Sequence, residues 1–281
     1  MAMAQPGGVI RATQHIRRMR GGAQGHLMRA NDGYFYVVKF QNNPQHRRVL
    51  ANELLASCLA AEVGLPVPPC AIIDVDPWLI SNTPDLTIQL AGKGLRCQPG
   101  LQFGSRYVVD PLAEAAQVFD FLPETMLGQV KNLETFAGML AFDKWTGNAN
   151  GRQAAFWKRA RERKYTVAFI DQGYCFNAGE WSFVDAPLRG VYARNCVYAG
   201  ITGWHSFEPW LSRIENLSAA AIGAIADAVP SEWYGDSDDL ENLIAQLHRR
   251  QTTVRLLLEA FRTSSRAPFP RWREAAAAGV N

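Results

Sequence analysis

The chain has no long apolar run, few cysteines and little net charge, and each shortage excludes a class of protein. No stretch of its 281 residues approaches the ~20 apolar residues that a membrane-spanning helix needs. The opening residues, MAMAQPGGVIRATQHIRRMRGG, lack the apolar core of a secretion signal. The expectation is a cytoplasmic protein with no membrane partner. The five cysteines, Cys58, Cys70, Cys97, Cys175 and Cys196, are odd in number and form no CxxC pair. That argues against a zinc site and a disulfide framework, and for reduced buried thiols. The formal net charge is only +3, whereas a nucleic-acid binder carries a clustered basic stripe. Nucleic acid is therefore not indicated as a partner. The chain shows no internal repeat.

What is present is globular. Hydrophobic residues make up 48% and charged residues 20% of the chain, too apolar for disorder. The length is large for one core and suits two lobes packed together. Short β-like pieces surround Gly21, Gly22 and Gly25. Asn31-Asp32-Gly33 gives a hairpin turn, because these residues accept positive φ. YFYVVKF (34–40) then reads as a strand. A helix is expected over 45–63, with Leu50, Leu54, Cys58 and Ala61 on one face, stopped by Gly64 and Pro66. Strands are expected at 70–75 and 86–92, then a strand and connector over 94–109. The second half reads as mainly helical, with helices over 113–121 and 133–145. A hairpin of AAFWK (154–158) and YTVAFID (165–171) flanks the charged tip RARERK. The clearest helix starts near Ser237, its expected N-cap, and carries an apolar stripe from Leu240 to Phe261.

Four features carry chemistry. Lys39 ends a strand of bulky residues, where an ammonium costs free energy unless it meets solvent or an anion. Glu53 lies in the following helix. A strand lysine braced by a helix glutamate aims an ammonium at nucleotide phosphates, although an edge lysine and a solvated glutamate would look the same. The glycine turn holding Gly22 and Gly25 lets backbone N–H groups approach phosphate oxygens; an ordinary hairpin turn uses the same residues. Asp171 ends the strand VAFID beside Gln172-Gly173 and suits a magnesium ligand, or equally a turn cap. Between them, FDKWTGNANGRQ (142–153) forms a polar loop after an aromatic-rich helix.

The order of these pieces, with the stretches YVVKF, NELLASCLAAEVGLPVP, FDKWTGNANGRQ and FIDQGYCF, resembles the HipA-like kinase family of the protein-kinase-like superfamily. The resemblance spans roughly residues 10–200, and GEWSFVDAPLRGVYARNCVY is similar to small single-chain bacterial members. It implies an α+β, two-lobed kinase-like fold. Residues 1–107 would form a β-rich nucleotide-binding lobe. Residues 108–268 would form a helical lobe with catalytic loop and metal site, and 269–281 a flexible tail. It also implies ATP and Mg2+, with Lys39 at the phosphates, Glu53 bracing it and Asp171 on the metal.

The loop departs from the family pattern. An aspartate is usual at the place of Asn150, and a metal-binding asparagine five residues later, where this chain has Ala155. An amide orients a hydroxyl but accepts no proton from it at neutral pH. The substitutes on offer are Asp143 as base, which could equally tie down the loop, Asn148 or Gln153 as a neutral metal ligand, and Arg152 for transferred charge. Three functions follow. The first is phosphoryl transfer to an unknown protein or small-molecule acceptor, slowed at Asn150. The second is a nucleotide-binding pseudokinase acting through interactions, and the third a helical partner-binding protein without nucleotide.

Overall fold

The computed structural model describes residues 10–112 and 115–273. The first part is built from β1 (Ile10–Arg18), β2 (His26–Ala30), β3 (Phe35–Lys39), α1 (Val49–Glu62), β4 (Cys70–Val75), α2 (Pro77–Asn82), β5 (Thr87–Leu90), β6 (Lys93–Arg96) and β7 (Gly100–Arg106). Strands β1, β2, β3, β7 and β4 close into a barrel in that order, while β5 and β6 form a separate hairpin. Alternation sets the two faces of β3. Tyr36, Val38 and Phe40 fill the barrel with Met28, Ile73 and Val75. Phe35, Val37 and Lys39 therefore point outward. The outer face of β4 and β7 takes α1, whose Leu50, Leu54 and Leu59 join Phe103 in the main core.

The second part follows with β8 (Ala116–Phe119), α3 (Thr135–Thr146), β9 (Gln153–Arg159), β10 (Thr166–Ile170), α4 (Trp210–Glu215), α5 (Ala219–Ala226), α6 (Ser237–Arg250) and α7 (Val254–Arg262). Every residue of α3 is buried, as befits a helix surrounded on all sides. Gly138 permits this: a Cβ there would stand 2.3 Å from the Trp210 ring. Gly147, in the left-handed conformation at φ 59°, ends α3 and returns its N–H to the Asp143 carbonyl, an αL cap. The polar loop starts there. The fold is α+β and two-lobed, a barrel followed by a mainly helical half.

Four expectations are corrected. The segment 113–121 is not helical over its described part. Residues 116–119 form the edge strand β8, paired to β9, and cross-strand pairing overrides the helix propensity of its alanines. The first long helix starts at Val49 rather than 45, because Asn43 caps the preceding turn through the Gln45 N–H. The last helix is two. Its N-cap is Asp236, which accepts from the Asp238 N–H, not Ser237. A 3-10 turn at Gln251–Thr253 divides α6 from α7, where the buried Gln251 amide donates to the Leu217 carbonyl at 2.6 Å. The expected tail of 269–281 is ordered at its start: Phe269 is buried and packs on Tyr198, Phe207 and Phe261. Residues 274–281 lie outside the described residues.

Candidate functional site

Three charged side chains from three elements meet where the barrel faces the second half. Lys39 comes from the end of β3, Glu53 from the middle of α1, and Asp171 from the residue after β10. The Lys39 ammonium pairs with Glu53 and donates to Asp171 Oδ1 at 2.8 Å. Lys39 is 8% and Glu53 2% exposed, so little water competes for these charges. Burial alone would lower the Lys39 pKa; Glu53 and Asp171 outweigh it and raise it. Burial works against the Asp171 carboxylate too, but Lys39 prevails and its pKa is lowered. Burial raises the Glu53 carboxyl, opposed by Lys39.

The turn after Asp171 is held from α1 by two adjacent residues. Glu53 accepts the peptide N–H groups of Gln172 and Gly173 at 3.0 and 2.8 Å. Asn52 donates to the carbonyls of Gly173, Cys175 and Ala178, and its oxygen accepts from the Trp181 indole at 2.7 Å. Gly173 is required by close approach, since a Cβ would stand 2.7 Å from Val49 Cγ2. Asp171 itself has φ 62°, a left-handed conformation that aspartate tolerates better than most side chains. His46 adds a further tie, its Nε2 lying 2.8 Å from the Gly173 carbonyl. Sequence reading missed Asn52 and His46. The signal available was an amide next to Glu53 in a mostly apolar helix.

The glycine turn between β1 and β2 rests directly on β3. A Cβ on Gly25 would stand 2.9 Å from Val37 Cγ1 and 3.8 Å from Lys39 Cγ, so only glycine lets the turn lie this low. Gly22 sits beside the Gln45 side chain. Asn43 fixes the turn through the Ala23 carbonyl at 2.8 Å, and Gln24 fixes it through both backbone groups of Gln89.

The loop after α3 is built on a buried ion pair. Asp143 is 2% and Arg152 4% exposed. Arg152 donates through Nε to Asp143 Oδ2 at 3.0 Å, also reaches Oδ1, and spans to the Ile170 carbonyl at 3.0 Å. Asn148 Nδ2 donates to Asp143 Oδ1 at 2.9 Å, and its own oxygen accepts the Asn150 N–H at 3.0 Å. Asp143 is therefore not placed to take a substrate proton, since both its oxygens are engaged in a buried network. Asn148 is not placed as a metal ligand, because its amide is spent inside the loop. Arg152 neutralises Asp143 rather than facing a cleft. Asn150 is exposed, its oxygen capping the Gly151 N–H at 2.8 Å.

Of the two amides offered as a neutral metal ligand, Asn148 and Gln153, it is Gln153 that reaches Asp171. It opens β9 opposite Ile170, and its Nε2 donates to Asp171 Oδ2 at 2.6 Å. Ala155 is buried in the same strand, paired with Ala168. The amide beside Asp171 thus comes from two residues before the position that the family pattern suggested. A carboxylate with a neighbouring amide suits Mg2+, which takes one or two protein ligands and fills its octahedron with phosphate oxygens and water. Among the described residues no group of three or more His, Cys, Asp or Glu could hold a metal by itself, and no helix is long and apolar enough to cross a membrane.

A family model described as HipA-like kinase matches residues 13–264. The fold is shared with solved kinases. A proinflammatory kinase of Helicobacter pylori, CtkA, aligns with TM-score 0.57 at 14% identity over 92% of this chain and 100% of that one. The Golgi casein kinase with Mn/ADP bound aligns with TM-score 0.50 at 11% identity, covering 92% of this chain and 73% of that one. HipA of Shewanella oneidensis, solved with HipB and operator DNA, aligns with TM-score 0.50 at 12% identity over 94% and 67% of the two chains. No curated protein sequence matches the chain.

Proposed function

Because the chain belongs to the HipA-like kinase family, we propose that it binds ATP with Mg2+ at the Lys39–Glu53–Asp171 cluster and transfers a phosphoryl group slowly to a protein or small-molecule acceptor. The observation that carries this reading is the contact of Lys39 with Asp171 at 2.8 Å. A cation from the barrel and an anion from the second half converge on one point, beneath a glycine turn too close for side chains.

In this reading each residue has a physical task. Lys39 stabilises the negative charge of the phosphates, and Glu53 keeps its ammonium aimed. The N–H groups of the Gly22–Gly25 turn contribute partial positive charge without a side chain in the way. Asp171 and the Gln153 amide would hold Mg2+, which when bound neutralises charge on the transferring group. Asn150 would orient the acceptor hydroxyl. Phosphoryl transfer depends mostly on position and electrostatics, so an amide at this place permits the reaction while removing general-base help, typically worth ~10²–10⁴ in rate.

One observation favours a second reading, a nucleotide-binding pseudokinase. The carboxylate nearest in sequence to Asn150 is Asp143, and the Arg152 pair consumes it. Two measurements test the pair of readings. Mg·ATP raises the unfolding midpoint under both, because a ligand of the native state must stabilise it. Release of labelled phosphate or its incorporation into an acceptor occurs only under the first. No shift at millimolar Mg·ATP overturns both.

A further inference from the structure

Two of the cysteines stand side by side. Cys58 in α1 and Cys70 at the start of β4 are twelve residues apart, with their sulfurs 3.7 Å from each other. The remaining thiols differ in setting. Cys97 and Cys175 are buried, and burial pushes each up to about 12. Cys196 is half-buried. Cys58 and Cys70 are both half-buried, on the outer side of the barrel where α1 packs against β4.

We propose that Cys58 and Cys70 form a reversible oxidation site, at which a peroxide closes a disulfide that clips α1 to β4. A disulfide needs sulfurs ~2.05 Å apart, so oxidation has only to close the gap from the 3.7 Å at which they stand. The chemistry balances with hydrogen peroxide as the two-electron oxidant. The Cys58 thiolate attacks one peroxide oxygen; an S–O bond forms, the O–O bond breaks, and the leaving hydroxide takes a proton as water. Cys70 then attacks the sulfur of the Cys58 sulfenic acid. An S–S bond forms, the S–O bond breaks, and a second water leaves. Two thiols and one peroxide give one disulfide and two waters.

The electrostatics of the pair favour Cys58 as the attacking sulfur. The hydrogen bond between the two sulfurs lowers the Cys58 pKa against the effect of burial, and the same bond, with burial, raises that of Cys70. The more acidic thiol is the one oxidised first, and its partner is the resolving thiol. The clip bears on the site described above, because the same helix carries Asn52 and Glu53. Closing it pins the far end of that helix to the barrel. The site stands on the sulfur pair alone and holds whether or not the chain binds nucleotide.

The test uses the full chain, reduced and then treated with hydrogen peroxide, blocked with N-ethylmaleimide, digested and weighed. The expected product is one linked peptide joining Cys58 to Cys70, lighter by two hydrogens and restored by dithiothreitol. Oxidation should raise the unfolding midpoint by about 5 °C, and neither Cys58→Ser nor Cys70→Ser should show the rise. Both thiols remaining alkylatable after peroxide, a link from Cys58 to another cysteine, or a linked protein with a lower midpoint would each overturn the proposal.

Discussion

Lys39 and Asp171 lie 132 residues apart in the chain and 2.8 Å apart in space. This one contact joins the barrel to the second half at the place where the charges converge. Lys39→Met and Asp171→Ala should each abolish the stabilisation by Mg·ATP, which for an intact site at a hundredfold excess over Kd is about 2.7 kcal/mol. Differential scanning fluorimetry with and without nucleotide measures it. Without ligand, Lys39→Met should itself cost about 3–5 kcal/mol, because it leaves Glu53 buried opposite Asp171 with no cation.

The same cluster sets a pH window. The Asp171 pKa is lowered in the fold, so its contribution is present above the unfolded carboxyl value and is lost as pH falls through the folded one. The Lys39 pKa is raised, so its contribution is present below the unfolded lysine value and is lost as pH rises through the folded one. Between these limits the contribution of Lys39 and Asp171 should stay constant, read from denaturant titrations. Asp171→Asn should flatten part of the acidic fall.

His26 adds to that acidic fall. It is fully buried in β2, and burial, with His15 and Arg18 nearby, lowers its pKa to about 4. The unfolded imidazole titrates near 6.5, so between these values the unfolded chain binds the extra proton. Stability should fall as pH drops from about 6.5 towards 4, by up to roughly 3 kcal/mol. His26→Gln should remove this component, read as the slope of unfolding free energy against pH.

The Asp143–Arg152 pair is predicted to be structural. Asp143→Ala or Arg152→Ala strands a buried charge and should cost about 3–5 kcal/mol, while Asp143→Leu with Arg152→Met should cost less than the sum. A double-mutant cycle in urea gives the coupling. If Asp143→Asn folded normally but lost all phosphoryl transfer, its assignment to the loop scaffold would be wrong.

Much of this was legible in the residues. Lys39, Glu53 and Asp171 each sit on an element that local pattern specifies, and their order along the chain carried the resemblance. What failed was partner choice. Asp143, Asn148 and Gln153 lie within eleven residues, all polar, and periodicity cannot say which of them turns inward. The answer depends on Arg152, whose guanidinium fits between α3 and the end of β10 and claims Asp143. Asn52 escaped notice for a related reason: its three carbonyl partners lie more than a hundred residues away. The strand β8 escapes local pattern because its pairing is non-local: Ala116 lies opposite Arg159 of β9, 43 residues further along the chain.

Asn150 offers the sharpest test of activity. It is exposed and its oxygen caps the Gly151 N–H, a bond that aspartate makes equally well. Asn150→Asp should therefore change stability by no more than about 0.5 kcal/mol. It supplies a carboxylate that can accept the acceptor's proton, which the amide cannot. Phosphoryl transfer should rise on the order of 10²-fold, and its pH–rate profile should gain an acidic limb as the new carboxylate protonates. A rise without that limb would point to altered binding rather than to a base. A fall in rate would mean that the amide itself is the tuned group, orienting the hydroxyl in a way that a charged side chain disturbs.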